Sequence, residues 1–198
     1  MSLSKFQESL LVMGAIKNNM QNDLKVFKRY IKDEDLKFSL YGKMIIDICS
    51  FLNEFKRFNA YSRESESIRD TMRITAPAIT RLKCWRGMEG MRNTMLAHGF
   101  RDEKDEGKLT SISKRYFEAE VPTSYAEVVL LSEYCVYVIS AFICRHSEEY
   151  QSALDTVPKV DVHVQRGIKT MAEFDAAVKE LEDHMFRLDS SLKKCFGV

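Results

Sequence analysis

Residues 128–144 read VVLLSEYCVYVISAFIC. A helix that crosses a bilayer needs about 20 apolar residues. This run is shorter and carries Glu133 inside it. It is apolar nearly all round, which is the pattern of a helix enclosed by other helices rather than one lying on a surface. We expect a central helix over residues 123–152, starting after Pro122 with Thr123 or Ser124 as its cap.

Working outward, the partners of that helix are readable as amphipathic segments. Phe6, Leu10, Met13, Met20, Leu24, Phe27 and Ile31 recur at three- and four-residue steps and predict a helix over 4–31. The polar run KDED at 32–35 ends it. A second helix is predicted over 38–60, with Tyr41, Met44, Ile45, Ile48, Leu52 and Phe55 on one face. SRESES at 62–67 supplies turn and capping chemistry for the next segment. Pro77 marks the start of, or a kink in, a helix predicted over 77–98. RYFEAEV at 115–121 alternates and suggests a short extended segment. DTVPKVDVHVQRG at 155–167 reads as a linker. A last helix over 170–196 carries Met171, Phe174, Val178, Leu181, Met185, Leu188, Leu192 and Cys195, a heptad seam that packs on the bundle or on a partner chain. With 3 prolines and 8 glycines in 198 residues, the expectation is an all-α up-and-down bundle over 1–153 and a helical appendage over 154–198.

Formal net charge is +1, so bulk electrostatics announce no nucleic-acid partner, although a local patch can act within a neutral total. The 5 cysteines show no CxxC pair and read as buried, reduced thiols of a cytoplasmic protein. The start, MSLSKFQESL, lacks a signal-peptide pattern. His146, His163 and His184 have no metal-ligand spacing; His146 reads as a polar helix-end residue. No metal and no cofactor is expected.

The chemistry concentrates in GMEGMRNTMLAHGF, residues 87–100. On a helical wheel of about 100° per residue, Cys84, Met88, Met91 and Met95 form a stripe that continues to His98. Arg81, Trp85, Met88, Arg92 and Leu96 form its neighbour. Arg92 and His98 therefore face the apolar side, and Asn93 lies on the polar flank with Arg86 and Glu89. An arginine on a hydrophobic seam needs an anion, a carboxylate or a wet cleft. Gly99 suits the left-handed position after a helix end, where the carbonyl ends favour a protonated His98. Arg81, Lys83 and Arg86 add positive charge that can steer RNA phosphates.

RNTMLAH resembles the signature of the HEPN superfamily: an arginine, a polar residue directly after it, and a histidine four to six intervening residues on. Here these are Arg92, Asn93 and His98, with five residues between arginine and histidine. Ala97 and the acidic HGFRDEKDE at 98–106 are also similar to that family. The resemblance implies a metal-independent endoribonuclease of toxin–antitoxin, abortive-infection or other phage-defence type. Arg92 would hold the phosphate, Asn93 would orient the histidine or substrate, and His98 would move protons. It further implies a homodimer with two motifs facing one cleft, an RNA substrate, and an antitoxin or other regulatory protein as partner. Phe100 stands where a subset of the family carries a tyrosine for nucleotide attachment, so that regulation is not expected. The alternative is a non-catalytic module that binds nucleotide, RNA or protein through the same cleft.

Overall fold

The computed structural model describes residues 3–93, 120–157, 167–190 and 193, and among these it is helical with no strand. The chain forms two compact units, Met1–Val157 and Pro158–Val198. The first contains α1 (Lys5–Arg29), α2 (Glu34–Glu64), α3 (Glu66–Lys83), α4 (Met88–Met91), α5 (Tyr125–Arg145) and α6 (Ser147–Thr156). The second contains α7 (Met171–Leu188), which ends short of the predicted residue 196 because the backbone turns extended at Asp189; Leu192 and Cys195 of the predicted seam lie outside the described residues.

Capping residues set several of the helix starts. Ser4 and Gln7 form a reciprocal capping box on α1. The Asp33 carboxylate accepts the Leu36 amide at 2.9 Å and starts α2 before residue 38, so KDED opens a helix as well as closing one. The helix α1 ends at Arg29 and leaves Ile31 exposed beyond it. Ser65 ends α2 and caps α3 with its hydroxyl, so one residue separates the two helices.

As its apolar sequence predicts, α5 lies at the centre. It packs against α1, α2 and α3, and buries Val128, Leu131, Cys135, Val138, Ile139 and Phe142. It is long and apolar enough to cross a membrane by length and composition, yet its buried face is met by protein side chains. Phe58 of α2 meets Phe142 edge to face at 4.7 Å, with Phe51 and Phe55 nearby. Between α1 and α2, the Lys43 ammonium lies 2.6 Å from Asp23 and 2.8 Å from Asp47. Burial acts against the Lys43 charge, but the two carboxylates outweigh it and raise its pKa.

The predicted helix over 123–152 is two helices. It breaks at His146, which belongs neither to α5 nor to α6. Pro77 lies inside α3 and starts no new helix. Residues 99–119, including most of the predicted extended segment, and residues 158–166 of the linker lie outside the described residues.

A cation-lined cleft beside Arg92

The predicted helix over 77–98 is interrupted, and the interruption builds the candidate site. The helix α3 stops at Lys83 because the next amides leave the α-helical ladder. Cys84 and Trp85 donate to Arg81 and Leu82 three residues back. The Gly87 amide then donates to the Glu120 carbonyl at 2.9 Å, a bond across the fold that a continuous helix would not allow. A Cβ on residue 87 would stand 2.7 Å from the Glu120 backbone nitrogen, so only glycine permits this approach. The helix restarts with Met91 donating to the Gly87 carbonyl. Met88 and Met91 are buried, and the Tyr41 hydroxyl, which donates to the Pro122 carbonyl at 2.5 Å, reaches the Met91 sulfur.

Arg92 follows directly. It is half-buried, and its Nε–H and Nη2–H groups both donate to the Asn93 side-chain oxygen, at 3.0 and 2.7 Å. Among the described residues it makes no ion pair. Asn93 is exposed. The structure thus brings two of the three signature residues together, with Asn93 orienting the guanidinium. His98 and the stripe residues Met95 and Leu96 lie outside the described residues.

Beside this pair is a cleft of about 180 Å³ between α2 and the 82–89 segment. Leu52, Phe55, Leu82 and Met88 form its apolar floor, Trp85 lines it, and Lys56, Lys83 and Arg86 bring three cations to it against one carboxylate, Glu89. Cys49 lines the same cleft; burial pushes its thiol up to about 11, against the opposing charge of Arg92. That thiol is therefore held protonated and unreactive near neutrality. Cys135 is likewise buried, with its pKa raised by burial. Cys84 and Cys144 are exposed, contrary to the sequence reading of buried thiols, because Cys84 caps α3 at its open end and Cys144 lies on the outer side of α5.

Arg81 and Arg86 line different clefts. Arg81 lies 2.7 and 2.8 Å from the two oxygens of Glu127, and the Trp85 indole N–H donates to the same carboxylate at 3.0 Å. Its charge is compensated where it stands, whereas Arg86 shares the cleft with Lys56 and Lys83. Of the cleft cations, Lys83 and Arg86 were singled out from sequence and Lys56 was not. Lys56 belongs to a helix remote in the chain, and only folding brings it beside Arg86.

His146 differs from its sequence reading in burial. It stands at a helix end but is 3% exposed, packed edge-on to Phe6 and stacked on Phe142. The Thr71 hydroxyl donates to the Ser67 carbonyl and accepts the Arg145 Nε–H at 2.9 Å. Its remaining lone pair meets His146 Nε2 at 3.3 Å, which assigns the ring proton to that nitrogen. Burial lowers the His146 pKa, so the ring is neutral and ties α3, α5 and α1 together. Among the described residues, no three His, Cys, Asp or Glu side chains gather as a metal site. No family model, curated protein or solved structure matches the chain.

Proposed function

We propose that the chain is a metal-independent endoribonuclease of HEPN type, acting as a homodimer through Arg92, Asn93 and His98. The observation that carries the reading is Arg92: a half-buried guanidinium with no carboxylate partner among the described residues, beside a cleft where three more cations outnumber one acid, Glu89. A partly desolvated cation of this kind is stabilised by an anion, and the planar fork of arginine suits a phosphate. The apolar floor and Trp85 suit a base stacked next to that phosphate.

On this reading the ribose 2′-oxygen attacks the adjacent phosphorus and gives its proton to a base. The bond from phosphorus to the 5′-oxygen breaks, and that oxygen takes a proton from an acid. The products are a 2′,3′-cyclic phosphate and a 5′-hydroxyl. His98 of one chain would serve as base and His98 of the second as acid, while Arg92 stabilises the charge that builds on the phosphoryl oxygens. An RNA-cleaving effector held in check by a regulatory protein is the biological setting that such chemistry fits.

The test is cleavage of mixed-sequence single-stranded RNA by the purified chain in the presence of a chelator. Fragments with cyclic phosphate ends are expected, with His98→Ala slowing the rate by about 10²–10⁴-fold and Arg92→Ala by about 10²–10³-fold. Intact RNA, or cutting that His98→Ala leaves unchanged, defeats the proposal. The cleft itself favours a second reading, a nucleotide- or RNA-binding module without catalysis. It is recognised by binding that Lys56→Ala and Arg86→Ala weaken while no RNA is cut.

A further inference from the structure

The cleft beside Arg92 carries one acid among its cations, and that acid is left without a counter-charge among the described residues. Glu89 and Arg92 stand three residues apart on one helical turn, the spacing at which opposite charges pair. They do not pair: Arg92 gives its Nε–H and Nη2–H to Asn93, and the Glu89 carboxylate makes no ion pair among the described residues. Of the cleft cations, the Lys56 ammonium donates to the Asn53 side-chain oxygen at 3.1 Å. Lys83 and Arg86 meet no carboxylate among the described residues. Trp85 is the one tryptophan of the chain. Its indole N–H donates to Glu127, which does not line the cleft, so the ring presents carbon to it.

We infer that this cleft is a guanine-binding site, in which Glu89 accepts the N1–H and N2–H groups of the base, Lys83 or Arg86 meets O6 and N7, and the ring lies against Trp85. Guanine is the base that matches both signs of charge. It carries two N–H donors side by side on its Watson–Crick edge, and a carboxylate offers two acceptors to receive them. On its other edge O6 and N7 are paired acceptors, the commonest base contact of arginine and lysine. The remaining bases fit worse. Adenine sets its amino group beside the acceptor N1, cytosine sets its own beside the acceptor N3, and uracil flanks one N–H with two carbonyls. Each would leave one oxygen of Glu89 facing a lone pair. At about 180 Å³ the cleft is smaller than the about 300–1,000 Å³ sites that enclose drug-sized ligands, so it takes one ring system rather than several. Glu89 and Arg92 both act on the charge of Cys49, which lines the cleft, so a base held by Glu89 has its phosphate near Arg92. The inference rests on the ribonuclease reading only in drawing the base from RNA; the same chemistry serves a free guanine nucleotide.

Trp85 fluorescence reads the site directly, because no other tryptophan contributes. The full chain is titrated with the monophosphates of guanosine, inosine, adenosine, cytidine and uridine. Guanosine monophosphate is expected to change the emission saturably and to bind about 5- to 150-fold more tightly than the adenosine, cytidine and uridine compounds, the range a bidentate base contact discriminates. Inosine monophosphate keeps N1–H but lacks the N2 amino group, so its affinity is expected to fall between. Glu89→Ala is expected to abolish the preference, and Arg73→Ala, at an exposed position of α3 that does not line the cleft, to leave it unchanged. Short single-stranded RNAs with and without one guanosine are then titrated into His98→Ala, so that none is cut. A guanosine-dependent RNA affinity at least about tenfold above that of guanosine monophosphate makes RNA the source of the base, and equal affinities make it a free nucleotide; both keep the guanine site. Four results overturn the inference: no saturable change with any guanine ligand, equal affinity for all bases or preference for another, inosine bound as tightly as guanosine, or a guanine preference that survives Glu89→Ala. His98-dependent cleavage by a chain without guanine preference removes this inference and spares the ribonuclease reading. Guanine binding by a chain that cuts no RNA does the reverse.

Discussion

At the scale of single residues, the site depends on which side chains are compensated and which are not. Arg81 and Arg92 look alike in sequence, each at helical spacing on the same stripe. The fold gives Arg81 the Glu127 carboxylate and Arg92 only the Asn93 amide oxygen. Glu127 lies 46 positions from Arg81, so no local pattern could announce that pairing. Gly87 is the other residue on which the site turns. Its φ of −76° is open to any amino acid, so its role is steric: Glu120 backbone atoms lie 2.7–3.0 Å from where a Cβ would be. Backbone cannot rotate aside as a side-chain tip can. Gly87→Ala is expected to lower stability by about 1–3 kcal/mol, measured by urea denaturation. It should also weaken RNA cleavage, since the Gly87–Glu120 bond shapes the turn that carries Arg92. A Gly87→Ala protein as stable as wild type would show that the 84–87 turn does not need this approach.

At the scale of elements, helix existence followed from periodicity, and helix interruption did not. The 3.6-residue pattern runs through Cys84–Gly87 and through His146; the first break is held by the Gly87 bond to Glu120, and at the second the His146 backbone leaves helical angles while its ring meets Thr71 of α3. The break at His146 carries a pH signature. Burial first, then the nearby Arg145 charge, lower its pKa from 6.5, with Glu149 opposing them. The unfolded chain therefore binds a proton at a higher pH than the folded one does. Stability is full above about 6.5 and falls as the pH drops from there through the lowered folded value, then levels off. The thermal midpoint is expected to decline over that interval in wild type. His146→Gln should lack that decline, though it starts from a less stable protein. A pH slope identical in both proteins would mean that His146 protonates as readily in the fold as outside it.

At the scale of the whole molecule, the buried residues of the described chain run from Ser9 to Val121 to Ala153, all within the first unit. That unit has its own core, built on Phe51, Phe58 and Phe142. A chain cut to residues 1–157 is expected to keep its helical circular dichroism and a cooperative thermal transition. Loss of cooperative melting in the cut chain would make the second unit part of the first unit's core.

The sequence by itself determined the helical class, the central place of 128–144, the capping chemistry within 62–67 and the start of α7 near residue 170. These follow from apolar spacing and from side chains acting on amides two or three residues away, and such forces are local. Tertiary structure decided where the predicted 77–98 helix breaks, that Lys56 joins Lys83 and Arg86 around one cleft, that Arg81 is neutralised, and that His146 is buried. Each depends on a partner tens of residues away, and only packing around α5 puts those partners within hydrogen-bond reach.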